Sequence, residues 1–189
     1  MELSMEMKNF EKARNMLSGI ENGAERAATV SINKTLIKMK LAVKKKVTEE
    51  YNIKSGEIEK SLKVRKASFS TLSGTVESKS TRLTLYKFLT GNTGKRLIVK
   101  IKKSEGLKPV TGKSNYSGVP FIATMKNGHR GIFQRTSNSS NPIKENYTLG
   151  IPQMIGYSSV SEFVIERGRE VLDETLEREI TRILKGYIW

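Results

Sequence analysis

Few side chains in this chain are equipped for chemistry. His129 is its single histidine, it has no cysteine, and the carboxylate nearest that histidine in sequence is Glu145. A metal site would therefore rest on carboxylates, without the thiolate or paired imidazole ligands that zinc prefers. A Ser/His/Asp relay needs a nucleophile raised on a sharp turn, and no G-x-S-x-G pattern occurs. His129 follows Asn127-Gly128 and reads as a surface residue at a hairpin tip. Gly112-Lys113-Ser114 has the ending of a phosphate-binding loop, but Leu107 occupies the position where the first glycine is required. The residues after Ser114, Asn115-Tyr116-Ser117-Gly118-Val119-Pro120, cannot open the helix that such a loop feeds. These patterns point to a protein that is not an enzyme and carries no cofactor.

What the chain does carry is positive charge: 34 Lys and Arg against 19 Asp and Glu in 189 residues, net +15. The two ends are slightly acidic, −1 over residues 1–30 and −2 over 158–189, which leaves 25 basic and 7 acidic residues, net +18, in between. A basic midsection fits a polyanion such as DNA, or acidic neighbours in an assembly. Lys95, Arg96, Lys100, Lys102, Lys103, Lys108 and Lys113 are the candidates for a DNA-facing or lumen-facing surface. Aromatic residues are scarce among them in sequence, so a stacking platform for single strands is not expected. A helix-turn-helix over Leu36–Leu62, followed by Lys63, Arg65 and Lys66, is the alternative reading. Its second helix would offer Glu57 and Glu59 to a groove, with little that reads base edges.

The elements that must position these groups follow from periodicity. A short helix is predicted over 5–18 through Phe10, Ala13 and Leu17. A long one is predicted over 24–51, with Ile32, Leu36, Met39, Val43, Val47 and Tyr51 in one apolar stripe. Val30, Ile37 and Leu41 fall off that stripe and are candidates for a subunit interface. Ser55 is a predicted N-cap for a short helix reaching Leu62. Extended runs are expected over 64–72, 74–78, 83–89 and 97–103. A basic Gly/Ser/Pro loop covers 104–118. An Asn-Gly hairpin joins strands 121–125 and 132–135, with a polar loop at 136–141 and a further strand at 143–149. A helix over 159–186 closes the chain, opening on the capping box Ser159-Val160-Ser161-Glu162, with Leu172, Leu176, Ile180, Ile183 and Tyr187 as its stripe. The expected fold is α+β: long N-terminal and C-terminal helices packed on a mainly antiparallel sheet or half-barrel. One domain over 1–189 is expected, with 1–22 as a short helical extension. The apolar fraction, 37%, is low for a compact monomer of this size and points to some burial between subunits. The N-terminus has no continuous apolar stretch like that of a signal peptide, and no run approaches the ~18 apolar residues of a membrane span, so a soluble protein is expected.

Phe121-Ile122, Met125, Asn127-Gly128, Gly131, Phe133, Arg135 and Pro142-Ile143 together spell F-I-x-x-M-x-N-G-H-x-G-x-F-x-R … N-P-I. This pattern is similar to the signature of the minor tail protein Z family of tailed phages, which is related to phage neck and tail-completion proteins. The likeness extends through Tyr51–Ala67, Leu85-Tyr86-Lys87-Phe88, Ile151-Pro152 and the C-terminal helix. It implies a non-enzymatic virion component that completes or caps the head-proximal end of the tail, assembled in the host cytoplasm. By the same resemblance its partners are its own copies in a ring, hexameric in the family, and tail tube, tail terminator, sheath or neck proteins. DNA passing through the ring would be touched without sequence preference, and no membrane is involved. A headless phage-tail-like bacteriocin could use the same part. Within the motif, Gly128 and Gly131 are expected to serve backbone geometry, and Phe121 and Phe133 packing.

Overall fold

In the computed structural model, residues 2–3, 10–93, 96–113 and 115–186 are described. Helix α2, Gly23–Glu50, is the spine. Ile32, Leu36, Met39, Val43 and Val47 are buried along it, with Tyr51 just past its end, which is the predicted stripe. Helix α5, Ser158–Gly186, lies against α2 in the most extensive contact between any two elements. Small residues make that approach close: Ala24, Ala27, Ala28, Ser31 and Ala42 on α2 and Gly168 on α5 are all buried. The predicted α5 stripe is buried from Leu172 to Ile183, while Tyr187 lies outside the described residues.

The N-terminal segment differs from a purely helical extension. Glu2–Leu3 forms strand β1, residues 4–9 lie outside the described part, and helix α1 covers Phe10–Met16. Ala13 and Leu17 pack with Ala27, Leu176, Ile180 and Ile183 in a second apolar cluster, so this segment is docked on both long helices. Helix α3, Ser55–Ser61, starts one residue earlier than the sequence suggested, with Lys54 rather than Ser55 at the N-cap, and Leu62 already begins the next strand.

The strands are short and all pair antiparallel, in four small sheets among the described residues that do not close into a barrel. Strands β2 (Leu62–Arg65) and β3 (Thr75–Ser78) pair beside β1; β4 (Arg82–Thr84) pairs with β11 (Tyr147–Gly150). Strands β5 (Leu89–Asn92), β6 (Leu97–Val99) and β7 (Lys108–Pro109) form the third sheet; β8 (Ser117–Thr124), β9 (Arg130–Arg135) and β10 (Ile143–Glu145) form the fourth.

Four predicted runs are corrected here, the first being 64–72, where the strand ends at Arg65. The extended run 83–89 is interrupted by a 3-10 turn, Leu85–Phe88, which drops Phe88 fully into the core. The strand expected over 97–103 ends at Val99, and Lys102 instead bridges to Tyr51. The run 143–149 splits at buried Asn146, whose N–H donates to Ile132 O (2.8 Å) and whose carbonyl accepts from Leu85 N (2.8 Å), carrying the chain from one sheet to another. Residues after Gly150, given no element from the sequence, form helix α4, Ile151–Gly156. Pro152 sits in its first turn, where no backbone N–H is required, and Gln153 Oε1 accepts from Gly150 N at 2.9 Å. The main core gathers Val43, Val47, Tyr51, Ile58, Phe88, Ile132, Met154, Val160 and Val164 from both helices and three of the sheets' surroundings.

Candidate functional site

The Asn-Gly hairpin forms as its sequence requires. Gly128 has φ +80°, Asn127 Oδ1 accepts from His129 N (3.1 Å), and Met125 N donates to His129 O (2.7 Å). In the register of β8 and β9, Phe121 faces Phe133 and Ile122 faces Ile132. Ile132 is fully buried and Phe133 nearly so, so the strand is covered on both faces. A side chain at Gly131 would collide with the Glu145 carboxylate and sit 3.0 Å from the Phe133 ring. The glycine thus opens a seat for Glu145, whose side chain is only 8% exposed.

His129 Nε2 lies 2.9 and 3.0 Å from the two Glu145 oxygens, and Tyr147 OH donates to Glu145 Oε2 at 2.8 Å. The Tyr147 hydroxyl titrates above its usual value, first because it donates to that carboxylate. The His129 ring also stands edge-on to Phe133, 6.4 Å between centroids. The histidine therefore fastens the hairpin to β10. Among the described residues no group of three or more His, Cys, Asp or Glu could hold a metal ion.

Sequence spacing missed how this sheet treats cations. Arg135 lies over the Phe121 ring at 4.9 Å, Lys113 and Lys144 both approach Tyr116, at 5.4 and 5.7 Å, and Arg130 lies over Tyr86 at 5.4 Å. Among the described residues none of these four cations forms an ion pair. Apart from Tyr116, close to Lys113 in sequence, the rings come from segments remote from the cations they meet. Lys144 and Arg130 had no local signal: the pairing of β8, β9 and β10 brings Lys144 to Tyr116, and packing of the Leu85–Phe88 turn against β9 brings Arg130 to Tyr86.

Six of the seven predicted basic residues are described, and their surroundings differ. Arg96 and Lys103 are exposed, Lys100 is half-buried, and Lys95 lies outside the described residues. Lys102 rests over Tyr157 at 4.6 Å and over Tyr51 at 5.9 Å. Burial, more than any neighbouring charge, pushes the Tyr51 hydroxyl up to about 12, so this seat is a neutral ring for Lys102. Lys108 is held by Glu105 at 2.6 Å. The loop 104–118 is tied down where a free loop was expected. Pro109 pairs with Ile98, Val110 N donates to Leu97 O (2.8 Å), and Lys113 N donates to Gln134 Oε1 (2.9 Å). Gln134, 1% exposed, also donates to Gly118 O at 3.0 Å.

The helix-turn-helix reading meets an obstacle in the same structure. Glu59 is clasped by Lys40 and Lys44 of α2, and Glu57 by Lys87 and Lys60. These hydrogen bonds and charges hold both carboxyls below the usual range. Helix α3 is two turns long, with its charge neutralised by neighbours, and it leads straight into β2, so no recognition helix is presented. The remaining motif residue, Pro142, gives its carbonyl to Thr136 N at 3.0 Å and closes the 136–141 loop.

On α2, Val30, Ile37 and Leu41 are seven and four residues apart and lie in line. Val30 is half-buried, and Ile37 and Leu41 are 52% and 51% exposed. Two such residues on a charged helix form an apolar strip open to a partner. Among the described residues no helix is long and apolar enough to cross a membrane.

The model of the prophage minor tail protein Z family matches residues 7–188. The chain belongs to this family. Membership gives it a structural role in a phage tail, as a virion component, and accounts for a site built of packing and surface charge. Neither curated proteins nor solved structures supply a match.

Proposed function

We propose that this tail protein completes or caps the head-proximal end of the tail as a ring of identical copies, in the position of a neck or tail-completion part. The observation that carries the reading is the open strip of Ile37 and Leu41 on a helix whose opposite side is fully packed. Burying the exposed halves of both side chains between copies would contribute roughly 1.5–3 kcal/mol before the costs of association. That suits a contact repeated around a ring.

The cations of the β8–β10 sheet supply the second half of the proposal. Held over rings and free of carboxylates, they suit phosphates of passing DNA, which lysines and arginines meet without reading bases. The partners in this reading are the chain itself, tail tube, tail terminator, sheath or neck proteins, and DNA in transit.

Crosslinking of intact tails followed by mass spectrometry tests it. Crosslinks from α2 to a second copy, and from elsewhere on the chain to tube or terminator protein, are expected. A chain that crosslinks to neither in tails known to contain it does not have this role.

A further inference from the structure

The turn between β2 and β3 holds a large aromatic ring out in solvent. Phe69 is 60% exposed, although its turn is firmly built. Ser68 N donates to Thr71 O (2.9 Å), and Thr71 N donates back to Ser68 O (3.2 Å) and to Ser68 Oγ (3.2 Å). Below it, Asn33 of α2 clamps the backbone of Ala67 with two bonds, accepting from Ala67 N at 2.8 Å and donating to Ala67 O at 3.1 Å. Leu72 packs on the core, and at Gly74 the chain runs so close to α2 that a side chain would sit 2.6 Å from Leu36 Cδ1. A single exposed apolar side chain is ordinary. One fixed at both feet of its turn has already met the ordering cost that binding imposes. Beside Phe69, Glu21 and Glu25 line a surface hollow together with Asn22 and Arg26. Among the described residues, neither glutamate forms an ion pair.

Elsewhere on the same helix lies a counterpart. Leu41 and Ala42 of α2 and Phe163 of α5 form the apolar floor of an open hollow, and Lys38, Lys45 and Arg167 stand around it. The rim is cationic where the surroundings of Phe69 are acidic, and the floor is apolar where the turn presents a ring.

We propose that the Phe69 turn of one copy seats in the Leu41–Phe163 hollow of the next, with Glu21 and Glu25 meeting Lys38, which is in no ion pair among the described residues, while Lys45 stays with Glu49. This rests on the ring reading above and gives it a direction. Plug and socket are different surfaces of one chain, so the contact is head-to-tail, the kind whose repetition gives a ring when the rotation between copies closes. Aromatic anchors in such pockets carry most of the energy of an interface, while charges at the rim select the partner.

The chain has no cysteine, which makes the test direct. F69C and L41C are introduced together and separately into the full chain, and oxidised both as purified protein and in assembled tails. The double variant is expected to give a ladder of disulfide-linked species. Each single variant alone is expected to stay monomeric, and a mixture of the two to give dimers. Thermal melts of these exposed-site variants should match the parent. K38E is expected to lower the crosslink yield about two- to fivefold, the range of an exposed charge pair, and E25K on the partner copy to restore it. Three results overturn the proposal: same-residue dimers in place of mixed ones, capture of a different tail protein by F69C, or no Phe69–Leu41 crosslink in tails that contain several touching copies. In the last case the tail-end reading survives. A chain absent from tails altogether removes both.

Discussion

Along the long helices, most cations are matched by carboxylates of their own chain. Lys34 of α2 reaches Glu179 at 2.6 Å, Arg182 reaches it at 2.7 Å, Lys46 pairs with Glu50 at 3.4 Å, and Lys40 and Lys44 close on Glu59. On the β8–β10 sheet the cations rest instead over Phe121, Tyr116 and Tyr86, and the one carboxylate seated there, Glu145, is taken by His129 and Tyr147. A carboxylate partner neutralises a cation and orders it. An aromatic ring orders it while leaving its charge on offer. The difference separates a region that satisfies most of its charge internally from one whose cations have no carboxylate partner among the described residues.

The comparison can be broken at its foundation. Ile132 is fully buried in the same apolar cluster as Val43, Val47 and Val164, so the sheet and the helices share one core. Ile132→Ala should cost about 2–5 kcal/mol, measured by chemical denaturation, and the protein should still unfold in one transition. A separate early transition for the sheet would make the two regions independent units.

A smaller effect is expected on the helix side. Burial by itself pushes the Glu179 carboxyl up, but hydrogen bonds from Lys34 and Arg182, with their charges, outweigh it and hold the group below its usual range. A carboxyl lowered by folding stabilises the fold above its unfolded-state value, and that contribution is lost as pH falls through the folded value. Glu179→Gln should therefore destabilise by about 1–3 kcal/mol at neutral pH. The gap to the parent should narrow in denaturation runs below about pH 3. A gap that persists in acid would mean that charge on Glu179 is not what the helix pair uses.

The smallest stability effects belong to the sheet cations, which sharpen the comparison through binding. Lys113→Ala and Lys144→Ala should shift stability by no more than about 0.5 kcal/mol. Each should flatten the dependence of log affinity on log salt for random duplex DNA by about 1. Lys40→Ala and Lys44→Ala, whose charges are already used, should leave that slope unchanged. A parent protein with no salt slope would remove DNA as the partner of the sheet.

Sequence made some of this molecule legible for identifiable reasons. The stripe from Ile32 to Val47 repeats every three or four residues over 28 residues of helix, long enough for periodicity to be decisive. The Asn127-Gly128 turn needed positive φ, and no other pairing of those residues explains the flanking apolar runs. Short elements were less readable. Helix α4 is only six residues long, too short for a periodic signal, and Pro152 in its first turn costs it nothing. The run Leu83–Leu89 hid a 3-10 turn, because Phe88 reaches the core only by breaking alternation. The candidate surfaces divided in the same way. The Ile37–Leu41 strip was visible as residues off the helical stripe, since a helix fixes its own faces. Apart from Lys113 and Tyr116, the cation–ring pairs of the sheet join segments distant in sequence, and Gly131 makes its seat for a glutamate fourteen positions away, so no local pattern encoded them.

The central claim is that this chain is a ring-forming part of the head-proximal end of the tail. Cryo-electron microscopy of tails, with and without this chain, tests it most directly. The expected result is a ring of density at the head-proximal end that accommodates α2 facing its neighbour's Phe69 turn and the β8–β10 sheet toward the channel, and that disappears when the chain is deleted. Tails whose head-proximal end is unchanged by the deletion, or whose copies of this chain sit singly elsewhere along the tail, would contradict it.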